Sequence, residues 1–253
     1  MRREIYRSVA LSILRDYLTN ISLYTQKKCN YLLSKIYIKV RFANPWVRNN
    51  KNYLFIHIPK NAGTSFRVQN KINETNHIPF SRYCIFDKDK ANSTPSFAII
   101  RDPVTRLRSS FFYLKESIVY KSFNRSYDAN KIANIETFEE FVLTLKKDKK
   151  FCRNVLNYGP FIPQCHWIKG VDGCKVLYIV KQDCMQHQIP LLAKLLNIDI
   201  SLDIHINKTS LSPESKKDIP DFLAEIIRDI YSEDNFLYQN IDSKRPTQLK
   251  YFF

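Results

Sequence analysis

Along the chain, short unbroken apolar runs alternate with stretches whose apolar residues recur every three or four positions. The runs "YLFIHI" (53–58), "SFAII" (96–100) and "KVLYIV" (175–180) are almost wholly apolar. That is the pattern of strands buried on both faces of a parallel sheet. Each run is followed by a helical pattern. After the second, Asp102 is placed to cap, Pro103 suits a first helical position, and Val104, Leu107, Phe111, Leu114 and Ile118 form a stripe. A further helix is predicted over 220–231, with Phe222, Leu223, Ile226, Ile227 and Ile230 on one face. Strands alternating with helices predict a three-layer, P-loop-like α/β fold around a mainly parallel sheet. Ligands of such sheets bind at the carboxyl ends of the strands.

The first 40 residues carry a different pattern. Leu11, Leu14, Leu18 and Ile21, then Leu32, Leu33 and Ile36, mark a helical apolar face beside Arg2, Arg3, Arg7, Arg15, Lys27, Lys28, Lys35 and Lys39. Such a helix suits either an anionic membrane surface or packing on the domain with a solvated basic face. "ANPWVRNNKN" (43–52) reads as a turn-rich linker. The expected organisation is a basic helical appendage over 1–45 and one domain over 46–253.

Charge sharpens this picture. The chain of 253 residues has a net charge of +16, which implies an anionic partner without naming it. The first 50 residues hold ten Lys/Arg and two Asp/Glu, half of that excess. No apolar run reaches the roughly 18 residues that span a bilayer. The stretch "SVALSILRDYLTN" breaks at Arg15 and Asp16, which makes a poor signal peptide. The six cysteines form no CxxC pair, and the spacing of Cys165, His166, Cys174, Cys184 and His187 fits no common zinc pattern. Core cysteines and no metal are expected.

Two polar segments follow the predicted strands. In "HIPKNAGTS" (57–65), a turn into a helix start aims backbone N–H groups at one spot. Gly63 permits close backbone approach, Lys60 adds a mobile charge, and Thr64 and Ser65 add hydroxyl donors. The segment lacks the first glycine of a Walker A loop and the lysine that follows its second, which disfavours nucleoside triphosphate hydrolysis. In "IIRDPVTRLRSSFFYL" (99–114), Arg101 ends a strand at the same sheet edge. Ser109 lies about 200° around the helix from Leu107, so it can face a cleft. An arginine and a serine beside a helix start make a second anion site. Read without partners, Arg101 would pair with Asp102 and Ser109 would be a surface serine. Two anion sites on neighbouring strand ends suit a ligand with phosphates at both ends.

"HIPKNAGTS" resembles the HIPKTAGTS-type 5′-phosphosulfate loop of the sulfotransferase family 2 carbohydrate sulfotransferases. "RDPVTRLRSSF" resembles that family's RDPxxRLxSxY 3′-phosphate motif, with Phe111 where Tyr is common. The two lie about forty residues apart, in the family's order. Weaker likenesses continue in "FIPQCHWI" (161–168), "HINKTS" (205–210) and "IYSEDNFLY" (230–238), so the resemblance covers roughly 53–240. It implies transfer of a sulfuryl group from 3′-phosphoadenosine 5′-phosphosulfate (PAPS) to a sugar hydroxyl. By position, Lys60, Asn61, Ala62, Gly63, Thr64 and Ser65 would hold the 5′-phosphosulfate, and Arg101 and Ser109 the 3′-phosphate.

The resemblance further implies Lys60 at the leaving oxygen and a histidine base. His77, in "ETNHIPFSRY", lies between the motifs where the family often keeps one, with Glu74 as the alternative. His57 reads as structural, and Gln164 and His166 as acceptor contacts. Two departures bear on the acceptor side: Asn61 replaces the usual Thr, and "YIVKQD" (178–183) stands where an acidic residue is common after the third strand. Many animal relatives carry a membrane anchor and work in the Golgi lumen. Without such a run here, the expectation is a cytoplasmic enzyme, touching the membrane surface through residues 1–40, with the Golgi lumen as the alternative. Two other classes compete: a P-loop-type nucleotide kinase, and a non-catalytic basic module. No nucleic-acid-binding motif is present, and an acidic glycan accounts for the charge equally well.

Overall fold

The computed structural model describes residues 33–39, 43–73, 77–116, 132, 134–171, 176–202 and 218–249. Its elements in chain order are β1 (Leu54–Ile56), α1 (Gly63–Gln69), α2 (Phe80–Phe86), α3 (Lys88–Ser93), β2 (Ser96–Ile100), α4 (Pro103–Glu116), α5 (Phe138–Lys147), α6 (Lys149–Val155), α7 (Gln164–Ile168), β3 (Tyr178–Lys181), α8 (Met185–Leu196), α9 (Asp221–Ile230), α10 (Ser232–Asn240) and β4 (Thr247–Gln248).

The strands lie in the order β1-β2-β3-β4. The first three are parallel, with Phe55 opposite Phe97 and Ile100 opposite Lys181, and β4 closes the edge antiparallel to β3. The apolar runs are unbroken because both faces of the sheet are covered. Side chains alternate between faces along a strand. Leu54, Ile56, Ala98, Ile100 and Ile179 therefore enter one core, which α2, α7 and α10 complete with Phe80, Trp167 and Leu237. Phe55, Phe97, Ile99 and Val180 enter the other, with Phe66 of α1 and Met185, Ile189 and Leu192 of α8. This is the expected three-layer α/β arrangement. A third cluster packs α4 on α5, α6 and α9 through Leu107, Phe111, Phe141, Phe151, Leu223 and Ile227.

The parallel order puts the carboxyl ends of β1, β2 and β3 along one edge. The segments that follow them, from His57, Arg101 and Gln182, emerge side by side there.

Two expectations need adjustment. The stretch read as a linker is anchored in the domain: Asn44 caps a 3-10 turn at Pro45–Arg48, and Trp46 is buried. The Trp46 indole N–H donates to the Tyr83 carbonyl at 3.2 Å, and the two rings meet edge to face at 5.3 Å. Phe222 does not share the buried face of α9 and is 49% exposed. At about 100° per residue it lies on the far flank of Leu223 from Ala224, and the small Ala224 is the residue that packs. The two-residue β4 was too short to leave a pattern in the sequence. Residues 33–39 are helical; the rest of the basic 1–40 segment, Ile118 and Glu74 lie outside the described residues.

If Trp46 is a core residue, Trp46→Ala lowers the unfolding free energy by about 3–5 kcal/mol. Chemical denaturation reads this directly, and an unchanged midpoint would return residues 43–48 to linker status.

Candidate functional site

The loop after β1 is held in an unusual backbone shape. Lys60 and Ala62 both take left-handed conformations, with φ 68° and 60°. For residues with a Cβ, each such turn costs roughly 1–2 kcal/mol. Asn61 between them offsets that strain. It is 1% exposed, and its Nδ2 donates to the Ile99 carbonyl at 2.8 Å and to Gln164 Oε1 at 2.7 Å. The side chain predicted to sit at the donor thus faces inward and fixes the loop. α1 then begins at Gly63, and its N-cap residue, Ala62, supplies no side-chain hydrogen bond. Thr64 is exposed and Ser65 half-buried in its first turn.

Gln164 joins this loop to the second motif. Wholly buried, it accepts the Arg101 N–H on Oε1 at 2.9 Å and donates Nε2 to the Arg101 carbonyl at 2.9 Å. Its own N–H and that of Cys165 donate to the two carboxylate oxygens of buried Asp234, at 2.7 and 2.8 Å. Arg106 is buried as well, with Nε donating to the Pro59 carbonyl and Nη2 to the Ile162 carbonyl. Burial pulls the Arg106 pKa down, and nearby Asp234 opposes it. Gln164 is therefore not an acceptor contact, because both ends of its amide are spent inside the protein. Its role, and those of Arg106 and Asp234, were missed in the sequence. Their only signal was membership of the resembling stretches.

Arg101 meets the first motif directly. Its Nη1 donates to the Lys60 carbonyl at 3.3 Å, and its Nε to Thr105 Oγ1 at 3.2 Å. Asp102 does cap α4: its Oδ1 accepts the Thr105 N–H at 2.8 Å. Burial and then Arg108 lower the Arg101 pKa, against Asp102. Thr105, Ser109 and Tyr113 follow one another at i, i+4 along the face of α4 that begins at Arg101. Ser109 is half-buried on that face, whereas Ser110 turns inward and donates Oγ to the Arg106 and Pro160 carbonyls. The Lys60 ammonium lies 3.8 Å from the centroid of the Tyr113 ring. Lys60, Asn61 and Arg101 are thus joined by hydrogen bonds, directly or through Gln164, and Ser109 lies on the α4 face that follows Arg101. Phe111 sits in the core, stacked on Phe141 at 5.0 Å, where a tyrosine hydroxyl would have to find a partner.

His57 and His77 form the third part. His57 is buried, stacks on Phe55, and lies 4.2 Å from His77 between ring centroids. Burial, then the charges of His77 and Arg67, push its pKa down to about 3, so the ring stays neutral. His77 Nδ1 lies 2.8 Å from the His57 carbonyl. A carbonyl only accepts, so Nδ1 carries the proton and Nε2 of the neutral ring is the basic nitrogen. The His77 ring packs against His57 and approaches Trp167 at 6.0 Å, while the residue keeps an exposed edge. Burial lowers its pKa, the bond to the His57 carbonyl raises it, and Arg106, Arg67 and Lys60 lower it again.

Gly63 is explained by the same ring. A Cβ at Gly63 would stand 2.2 Å from His57 Cδ2, so glycine is needed there for the histidine rather than for a left-handed turn. His166 opens onto a surface cavity of about 510 Å³, together with Arg153, Asn157 and Lys169. Cys84 and Cys165 are core residues, and among the described residues no cluster of His, Cys, Asp and Glu is arranged to hold a metal ion.

Because the clash is with one ring, Gly63→Ala costs about 1–3 kcal/mol of stability as overpacking. The same substitution in a His57→Ala background costs much less. Denaturation of both singles and the double variant measures this coupling, and additive losses would contradict it.

The sequence model of the sulfotransferase family matches residues 43–239. Comparison with curated proteins and with solved structures returns no match in either case. The matched span runs from the Trp46 anchor through both anion motifs, Gln164 and Asp234. On that match the chain belongs to the sulfotransferase family, and its chemistry is sulfuryl transfer.

Proposed function

We propose that the chain transfers the sulfuryl group of PAPS to a hydroxyl of a carbohydrate. The observation that carries this reading is the bond between the two anion motifs, Arg101 Nη1 to the Lys60 carbonyl. A donor with phosphates at its 3′ and 5′ ends needs two cationic positions at a fixed separation. Lys60, with the segment from Ala62 to Ser65, takes the phosphosulfate end. Arg101 and Ser109 take the 3′-phosphate.

In the reaction the acceptor oxygen attacks sulfur, and the bond from sulfur to the 5′-phosphate oxygen breaks. The bonding pair leaves with the phosphate, and the hydroxyl proton passes to His77 Nε2. The products are the sulfate ester, 3′,5′-ADP and a protonated imidazole. Lys60 stabilises the charge that grows on the departing phosphate; as in phosphoryl transfer, positioning and electrostatics supply most of the rate. The net charge of +16 favours an acidic glycan as acceptor through long-range attraction.

Two outcomes test the reading. Labelled PAPS transfers label to a polysaccharide with the wild-type protein, and Lys60→Ala slows transfer by about 100-fold or more at an unchanged melting temperature. Full turnover in folded Lys60→Ala would sink the mechanism. The pH profile tests the base. His77 acts when neutral, and its pKa lies below the ordinary 6.5. The acid limb of the wild-type kcat/KM profile therefore has its midpoint below pH 6.5, as the ring protonates. His77→Ala removes that acid limb along with about 10²–10⁴-fold of rate; loss of the limb in Glu74→Ala instead would reassign the base.

A further inference from the structure

We infer that Tyr113 is a positioning residue for Lys60, which its ring holds ready for the donor. The inference rests on the donor reading above. The Lys60 ammonium lies 3.8 Å from the Tyr113 ring centroid, well inside the roughly 6 Å over which a cation is attracted to an aromatic face. Tyr113 is 41% exposed and no member of the core. It stands one turn beyond Ser109 on α4, whose first turn carries Thr105 and which Arg101 precedes. The contact therefore draws the lysine side chain across the space between the first loop and the helix of the second motif. A donor held at both motifs must occupy that same space.

The lysine needs such a hold. Its side chain has four rotatable bonds and much rotamer entropy to lose on binding. Its backbone is already fixed in a left-handed turn by Asn61, so the ring contact bears on the side chain. A ring face occupies one side of the ammonium, which has three N–H donors. The same ammonium can thus rest on the ring and donate to a phosphate oxygen, without one contact displacing the other. Tyr113 acts through Lys60 and takes no part in the bonds that form and break.

The test uses Tyr113→Leu, Tyr113→Phe and the double variant with Lys60→Ala, with 3′,5′-ADP as calorimetric probe and PAPS for turnover. Tyr113→Leu binds the nucleotide about 5- to 30-fold more weakly and loses kcat/KM by a similar factor, at an unchanged melting temperature. Tyr113→Phe, which keeps the ring, recovers most of both losses. In the Lys60→Ala background, Tyr113→Leu changes nucleotide affinity by less than about 2-fold, since the residue it holds is gone. Wild-type or tighter binding by Tyr113→Leu overturns the inference, as does an equal loss in Tyr113→Phe or an undiminished effect in the Lys60→Ala background. Wild-type protein that binds no 3′,5′-ADP would overturn the donor reading, and this inference with it; a normal wild type with an indifferent Tyr113→Leu removes this inference alone.

Discussion

The side-chain amide of Gln164 is the constraint on which the site depends. Buried with 0% exposure, it must satisfy both its oxygen and its nitrogen, because a buried polar group without a partner costs about 1–3 kcal/mol. It does so by bonding the backbone of Arg101 on both sides and taking the Asn61 amide as a further donor. Asp234 fixes Gln164 in turn through its backbone N–H. The loop after β1, the end of β2 and the start of α7 are thereby bound to one another. The left-handed turns at Lys60 and Ala62 persist because Asn61 cannot leave its place without breaking this network.

Fixed geometry matters for a reaction with little covalent chemistry for the protein to perform. When catalysis consists of holding groups in line and meeting charge as it develops, small misplacements are expensive. The cations of the site accordingly divide into two kinds. Arg106 is consumed by the framework, with its guanidinium on the Pro59 and Ile162 carbonyls. Lys60 and Arg101 stand at the sheet edge, where an anion would bind. Arg106 and Lys60 also act on His77, the proposed base. Burial, then Arg106, Arg67 and Lys60, lower the pKa of His77 against the bond to the His57 carbonyl, and burial leaves His57 neutral beside it. On the proposed reading, the positive charge that would attract an anionic donor also favours the neutral form of the His77 imidazole.

Much of this was legible in the sequence, for identifiable reasons. Unbroken apolar runs revealed strands with two covered faces, because period and burial are local consequences of residue type. Asp102 and Pro103 announced the start of α4, since capping acts within one turn. Lys60 and Arg101 were found as strand-end cations in segments resembling a known family. Gln164 was misread as an acceptor contact, because nothing in "FIPQCHWI" shows that its amide faces Asn61, 103 positions earlier. Gly63 was assigned to backbone approach, although the atom that demands it is a carbon of the His57 ring.

The sequence by itself determined the α/β class and marked the sheet edge of the candidate site, with the cations placed along it. These follow from periodicity, from the rule that parallel strands present their carboxyl ends together, and from charge. Only the tertiary structure decided which polar residues face inward to hold the loop and which face outward. It alone set the tautomer of His77, through the His57 carbonyl, and placed Tyr113 beneath Lys60. Those assignments depend on partners distant in the chain and on the direction of each side chain. A one-dimensional pattern does not encode them.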